Sequence, residues 1–254
     1  MRSALSYQGG KSRLANQITK LFPEHTCYVE PFCGACWVLF EKEPSKVEII
    51  NDLDSELITF WRVIQNHLPE FRRYYEYAVT SREIFNIENR KDPTTLTDVQ
   101  RATRYFYLQK LCFGGKVHGR TFGTSAVQPA RLNLMDIDDL LLKIHWRMSK
   151  VTIENLSAIG CIQKYDRPET LFYCDPPYFE TAGYEVPFSE QDLIDLRDVL
   201  FSIKGKAIIS LNDHPRVREL FAGMKIKTTS LKYSIGRSKE SKAKDRLEVI
   251  IQNF

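Results

Sequence analysis

Residues 26–40 read TCYVEPFCGACWVLF, and this stretch decides the fold class. A short β-prone run ends at Glu30, a tight turn containing Gly34 follows, and an apolar helix-like run begins at Trp37. A strand, a glycine turn and a helix in this order bring backbone N–H groups and a helix N-terminus against a ligand, as in nucleotide-binding α/β units. The stretch therefore predicts an α/β fold whose ligand lies at this turn.

A second predicted strand, 47–50, leads into Asn51 and Asp52. Asp52 lies 18 residues after Gly34, close to the roughly 20 residues at which nucleotide-binding βαβ units place a carboxylate on ribose hydroxyls. Because the turn holds one glycine and not the full G-x-G-x-x-G, this spacing alone is weak evidence. Further elements are predicted by periodicity: helices at 14–22, 190–201 and 215–221, and strands at 170–174, 206–211, 228–235 and 247–254.

The segment from about 55 to 148 has helical periodicity and no alternation of strands with helices. A long helical stretch inside an α/β pattern indicates an inserted module. We therefore predict an α/β domain made of residues 1–56 and 155–254, and a mostly helical module made of residues 57–154.

Composition indicates an ordinary globular protein, with 254 residues, 43% hydrophobic residues and a net charge of +4. No apolar run approaches the roughly 20 residues of a membrane-spanning helix, and the N-terminus lacks the apolar stretch of a secretory signal. We expect a cytoplasmic protein with no membrane association. The sequence leaves the oligomeric state open.

Two segments concentrate the positive charge. Residues 99–135 contain no Asp or Glu, and residues 232–246 hold six Lys or Arg against two acids. Aromatic residues lie between the charges of the first segment, a combination that suits contact with phosphates and bases: Tyr105, Phe106, Tyr107, Phe113 and Phe122. These segments are candidate surfaces for a polyanion, with a plain solvated face as the alternative.

Cys33 and Cys36 have the C-x-x-C spacing of a redox or zinc half-site. The sequence holds no second C-x-x-C and no H-x₃-H pair, so we expect no metal site. A tight turn flanked by small residues is the favoured interpretation, and a redox role is the minor alternative.

Asp175-Pro176-Pro177-Tyr178 follows the predicted strand 170–174. Ligands of open α/β sheets bind outside the carboxyl ends of the strands, where Asp175 is expected. Two successive prolines fix the backbone and remove two N–H donors, which leaves carbonyls that accept hydrogen bonds. A carboxylate beside such carbonyls suits an amino group that donates two hydrogen bonds, and Tyr178 offers a ring face nearby.

The chain resembles the Dam-type DNA adenine N6-methyltransferases, especially phage and prophage members, over nearly its whole length. The matching motifs are Tyr7-Gln8-Gly9-Gly10-Lys11, Glu30-Pro31-Phe32-Cys33-Gly34, Ile50-Asn51-Asp52 and Asp175-Pro176-Pro177-Tyr178. The order of the motifs also agrees with that family. The stretch 113–122 is a divergent form of the family's recognition sequence.

The resemblance implies a Rossmann-like, S-adenosylmethionine-dependent methyltransferase sheet with an inserted helical DNA-recognition domain. It implies cofactor contacts from six residues, with Asp52 on the ribose: Tyr7, Lys11, Phe32, Gly34, Asp52 and Asp175. In the implied reaction an adenine is flipped out of double-stranded DNA. Asp175 and the Pro176 carbonyl accept the two N6 hydrogens, Tyr178 stacks on the base, and Pro177 completes the catalytic motif.

The DNA contacts that we expect come from the two basic segments: Arg101, Lys110, Lys116, His118, Arg120, Arg237 and Lys239. The resemblance implies a GATC-like target site, and the divergence at 113–122 leaves the exact sequence open. Two alternatives also remain open: a cofactor-dependent DNA-binding protein without turnover, and transfer to another exocyclic amine, such as cytosine N4 or an RNA base. The biological role could be restriction-modification, phage protection or regulation.

Overall fold

The structure is a computed structural model, which describes residues 1–7, 9–127, 132–178, 188–231 and 246–254. Its strands are β1 (Cys27–Glu30), β2 (Val47–Asn51), β3 (Val151–Glu154), β4 (Thr170–Cys174), β5 (Lys206–Asn212), β6 (Lys225–Leu231) and β7 (Arg246–Gln252). Within these described ranges they form one seven-stranded sheet in the order β3-β2-β1-β4-β5-β7-β6. Strands β1 to β5 pair in parallel, and β7 runs antiparallel to β5 and β6.

Successive side chains of a strand pack alternately into two apolar cores, one on each face of the sheet. In β1, Tyr28 belongs to one core and Val29 to the other. In β4, Tyr173 faces the first core and Phe172 the second. A strand buried on both faces reads as a continuous apolar run, which is why β4 is recognisable in the sequence.

The helices of the described chain are α1 (Ala15–Thr19), α2 (Trp37–Glu41), α3 (Ser55–Asn66), α4 (Leu68–Tyr75), α5 (Arg82–Arg90), α6 (Asp98–Leu111), α7 (Leu134–Met148), α8 (Ala158–Tyr165), α9 (Glu190–Ser202) and α10 (Pro215–Leu220). Short 3-10 turns cover Pro93–Thr95 and Phe113–Gly115. None of these helices is long and apolar enough to cross a membrane.

Helices α3 to α7 form the predicted helical insertion. The rings of Phe60 on α3 and Phe106 on α6 stack with centroids 5.6 Å apart, and Phe71 on α4 packs edge-on against both. Asp54 begins α3, since its carboxylate accepts the N–H groups of Glu56 and Leu57. The predicted fold class, a Rossmann-like sheet with a helical insertion, is confirmed.

Two elements were not predicted, β3 and α8. Strand β3 lies inside the range 57–154 predicted for the helical module, but it pairs in parallel with β2 and forms an edge of the sheet. It has four residues, and only Val151 is buried, so it lacks the long apolar run of a central strand. The first helix is also shorter than predicted, at Ala15–Thr19 instead of 14–22.

Candidate active site

A cavity of about 240 Å³ opens at the carboxyl ends of β1 and β4. From β1 the chain adds β2 and β3 on one side, and from β4 it adds β5 on the other side. Open α/β sheets bind ligands at such a switch point in strand order. All six residues that were predicted to contact the cofactor line this cavity: Tyr7, Lys11, Phe32, Gly34, Asp52 and Asp175. Carboxylates from the loops after β2 and β4 therefore share one space.

Gly34 forms the turn under this cavity. Its φ is +45°, a left-handed conformation that favours glycine, and a Cβ there would lie 3.3 Å from Cε1 of Tyr7. The Gly34 N–H donates a hydrogen bond of 3.0 Å to Oδ2 of Asp52. The glycine turn, the Tyr7 ring and Asp52 therefore pack together as one unit.

The other oxygen of Asp52, Oδ1, accepts the N–H of Asp54 at 3.1 Å. Burial raises the pKa of Asp52 to about 6, against the lowering effect of the Gly34 and Asp54 N–H groups. The carboxylate is therefore still mainly ionised at neutral pH. Because it is also held in a fixed orientation, it can accept hydrogen bonds from ligand hydroxyls.

Asp175 lies directly after β4, and its Oδ1 carries the described contacts. Lys11 Nζ lies 2.6 Å from Oδ1, and Ser210 Oγ donates to the same oxygen at 3.1 Å. Burial raises the pKa of Asp175 to about 6; Lys11 lowers it, and the carboxylate of Glu248 raises it. With Oδ1 occupied, Oδ2 is the oxygen that can receive a donor from a ligand.

Tyr178 and Glu248 extend this network away from the cavity. The Tyr178 hydroxyl accepts a hydrogen bond from Lys11 Nζ at 2.7 Å and donates to Oε1 of Glu248 at 2.5 Å. Tyr178 is 7% exposed, and Pro177 rather than Tyr178 is the lining residue from this end of the motif. The stacking role of Tyr178 stays a prediction.

Sequence reasoning did not find Glu248. The available signal was a single acid near the start of the apolar strand run LEVIIQNF, residues 247–254. Nothing local connects that acid to Tyr178, which lies 70 residues away along the chain.

Comparison with known proteins places this geometry in a family. The family model of the D12 class N6 adenine-specific DNA methyltransferases matches residues 7–235, most of the chain. The chain belongs to this family. It is an adenine-specific DNA methyltransferase, and the predicted resemblance and enzyme class are confirmed.

Three curated relatives match over most of their length. The chain is 26% identical to the type II methyltransferase M1.LlaDCHI of Lactococcus lactis subsp. cremoris, with 100% of this chain and 96% of the relative covered. It is 23% identical to the type II methyltransferase M.CviBI of Paramecium bursaria Chlorella virus NC1A, covering 88% and 87%. It is also 23% identical to the DNA adenine methylase of Haemophilus influenzae, covering 96% and 91%.

The surroundings of Cys33 and Cys36 disfavour the thiolate form that redox chemistry needs. Cys33 and Cys36 are buried, and burial raises the pKa of both thiols. Reactive cysteines need the opposite shift, because the thiolate is the nucleophile. Across the part of the chain that the structure describes, no group of three or more His, Cys, Asp or Glu side chains could hold a metal ion.

The charged residues proposed to contact DNA differ in their surroundings. Arg101 is bound to Glu56, with Nε 2.9 Å and Nη2 2.5 Å from Oε1, so it joins α6 to α3. Lys110 lies over the ring of Phe106, with Nζ 5.5 Å from the centroid. Their roles toward DNA stay predictions, as do those of Arg237 and Lys239, which lie outside the described residues.

The loop after α6 carries the other three candidates. Lys116 and His118 are exposed, and the Arg120 guanidinium lies 5.2 Å from the centroid of the Tyr105 ring. A Cβ at Gly115 would lie 3.1 Å from the backbone of Ser6, so this loop packs directly on the segment that carries Tyr7.

The aromatic residues of the basic segment differ in their exposure, and Phe122 is partly buried. Tyr105, Phe106 and Tyr107 are buried in the helical core, where they support α6 and offer no face to a base. Phe113 is 54% exposed, on the same loop as Lys116. The interleaved pattern in the sequence therefore mixes core residues with surface residues.

Proposed function

We propose that this adenine-specific DNA methyltransferase uses S-adenosylmethionine bound in the cavity between β1 and β4, and that Asp175 activates the N6 amine of an adenine extruded from double-stranded DNA. One observation carries the proposal. Asp175 lines the same cavity as Asp52 and Gly34, so the proposed reaction site and the proposed cofactor site are continuous.

The residues present fit this cofactor. Asp52 offers a fixed, buried carboxylate for the ribose hydroxyls, and Phe32 and Tyr7 offer aromatic surface for packing. When bound, S-adenosylmethionine supplies an electrophilic methyl group on a sulfonium. In this arrangement Lys11 contributes by holding Asp175.

The amine needs activation because its lone pair is delocalised into the purine ring. Oδ2 of Asp175 accepts one N6 hydrogen and the Pro176 carbonyl accepts the other, which makes the lone pair available. Lys11 and Ser210 hold Oδ1, so the carboxylate is oriented before the substrate arrives. Orientation and preorganised electrostatics are the main catalytic contributions.

Asp175 can also receive the proton that N6 loses. A carboxyl group whose pKa is about 6 is ionised at neutral pH and still a better base than an ordinary aspartate. In the proposed complex the Tyr178 ring stacks on the extruded adenine, which requires access to a ring that is buried in the free protein.

The loop 113–122 is the proposed reader of DNA, because Lys116 and His118 are exposed there and Gly115 packs on the cavity wall. We infer a GATC-like target site from the resemblance. We also infer that the catalytic domain comprises residues 1–56 and 151–254, since β3 belongs to its sheet, and that residues 57–150 form the recognition domain. We infer that the enzyme acts in the cytoplasm of a bacterial cell or a phage-infected host.

The test uses methyl-labelled S-adenosylmethionine with genomic DNA from a strain that lacks adenine methylation. We expect label in N6-methyladenine and a loss of transfer in Asp175→Ala. Label in N4-methylcytosine would favour the other amine acceptor. Binding of DNA and cofactor without any transfer would favour the binding protein without turnover. Either result would overturn the proposal.

A further inference from the structure

Glu248 is a buried carboxylate next to the proposed reaction site, and the proposed reaction gives it no role. It lies beyond residues 7–235, the range that matches the family. Strand β7 runs antiparallel to β5 and pairs Glu248 with Asn212. This register places Glu248 at the carboxyl end of β5, the same edge of the sheet as Asp175.

Stability alone does not account for a carboxylate at this position. Glu248 is 1% exposed, and burial of a charge is costly unless the charge is paired and hydrogen-bonded. The next residues on the strand, Val249, Ile250 and Ile251, are buried and apolar. Replacing a buried ion pair by apolar residues is often neutral or stabilising, so stability is a weak reason for an acid at this position.

Its contacts lead to Asp175 in two steps. Oε1 accepts the Tyr178 hydroxyl at 2.5 Å, and Oε2 lies 4.0 Å from Lys11 Nζ. Lys11 Nζ in turn lies 2.7 Å from the Tyr178 hydroxyl and 2.6 Å from Oδ1 of Asp175. The carbonyl of Gly9 is a further acceptor for Nζ at 3.3 Å. The position of the ammonium thus depends on the hydroxyl that Glu248 holds.

We propose that Glu248 is a positioning residue for methyl transfer: it holds the Tyr178 hydroxyl and through it the Lys11 ammonium, so that Lys11 binds Oδ1 of Asp175 and leaves Oδ2 to the acceptor amine. The inference rests on the proposed role of Asp175. Without Glu248, the hydroxyl would lose its carboxylate acceptor, and the ammonium could move to bridge both oxygens of Asp175.

The charge of Glu248 provides a readout that a merely structural role would not move. The groups that act on Asp175 or on its direct partners come from five parts of the fold: Lys11 from the N-terminal segment, Glu30 from β1, Tyr173 from β4 with Tyr178 after it, Ser210 from β5, and Glu248 from β7. Among the carboxylates, Glu248 raises the pKa of Asp175. Removing its charge should therefore move the acidic limb of the rate profile to lower pH.

The experiment compares Glu248→Gln and Glu248→Ala with the parent enzyme in single-turnover methyl transfer to unmethylated genomic DNA, from pH 5 to pH 8. Because a small displacement of a reacting group can cost about 100-fold, we expect Glu248→Ala to lower the rate constant by about that factor. The affinity for S-adenosylmethionine should stay within about threefold, since Glu248 does not line the cavity. Glu248→Gln keeps an acceptor for Tyr178, so it should lose less rate but show the acid-limb shift.

Glu48→Gln is the matched control. Glu48 is also buried and paired with a lysine, at 2.5 Å from Lys42 Nζ, but it lies outside the cavity lining. This variant should lose thermal stability and keep the parent's acid limb. A thermal melt of each variant separates loss of fold from loss of rate.

A double-mutant cycle tests whether Glu248 acts through Tyr178. If it does, Glu248→Ala should change the rate of the Tyr178→Phe enzyme by no more than about twofold, because coupled residues are not additive. A full additional loss in the double variant would overturn the inference, as would an unchanged rate and acid limb in both Glu248 variants.

A measurement without turnover separates this inference from the proposed function. In protein carrying ¹³C-labelled aspartate, the carboxyl signal of Asp175 is identified by its loss in Asp175→Asn. It should titrate at lower pH in Glu248→Gln than in the parent. If the parent transfers no methyl group to adenine, the proposed function fails, whereas this titration still tests the electrostatic coupling of Glu248 to Asp175.

Discussion

Gly34→Ala should weaken cofactor binding as well as the fold. A φ of +45° at this position costs an L-residue about 1–2 kcal/mol, and melting temperatures of chains of this size fall by about 2–4 °C per kcal/mol. The added methyl would also lie 3.3 Å from Cε1 of Tyr7, so the ring must move by a few tenths of an ångström. Because Tyr7 lines the cavity, we expect about tenfold weaker binding of S-adenosylmethionine, or about 1.4 kcal/mol.

Gly114→Ala is the control for backbone strain. Gly114 has a φ of +72°, and no described atom lies within 4 Å of the position that an added Cβ would occupy. Calorimetric titration with S-adenosylmethionine and thermal unfolding of the free proteins give the two quantities needed. Both variants should lose similar stability, and Gly34→Ala alone should lose affinity. Equal affinities in the two variants would refute the role of Gly34 and Tyr7 in the site.

Further predictions concern titration and the thiols. The transfer rate should fall as the pH drops through about 6, where Asp175 becomes protonated. In the residual activity of Lys11→Met this fall should occur at higher pH, because Lys11 lowers the pKa of Asp175. A rate that is constant from pH 5 to 8 would contradict both predictions. Cys33→Ser should retain methyl transfer, since burial raises the pKa of that thiol; loss of transfer without loss of cofactor binding would revive the redox alternative. Burial raises the pKa of Glu48, but hydrogen bonds from Arg147 and Lys42 outweigh it and lower the pKa overall. Glu48→Gln should therefore be less stable than the parent above about pH 4.3, the pKa of the unfolded chain, and this difference should vanish as the pH falls below that value. Thermal melts of both proteins at pH 7 and pH 3.5 check this.

The sequence predicts the sheet and the cavity well because both depend on local patterns. Strand β4 was expected at 170–174 and lies at Thr170–Cys174. The residues of the four motifs converge because each follows a parallel strand or packs against its end, and carboxyl ends of parallel strands meet at one edge of the sheet. Asp52 and Asp175 could therefore be placed together without any structure.

Contacts between distant segments could not be predicted in the same way. Glu248 reaches Tyr178 because β7 inserts antiparallel between β5 and β6, and a short apolar strand does not reveal its neighbours. The sequence left open whether Arg101 holds the DNA backbone or pairs with a carboxylate, and the structure gives it Glu56 as a partner across two packed helices. Tyr105 to Tyr107 lie among basic residues in the sequence, but on helix α6 their side chains are buried in the core.

The most direct test of the proposed mechanism is an experimental structure of the enzyme with S-adenosylhomocysteine and a DNA duplex that contains its target. We predict that the cofactor ribose lies on Asp52 and that the N6 amine of an extruded adenine lies within hydrogen-bond distance of Oδ2 of Asp175 and of the Pro176 carbonyl, with Lys11 still on Oδ1. An adenine amine held by other groups, with Asp175 bound on both oxygens by protein side chains, would contradict the mechanism.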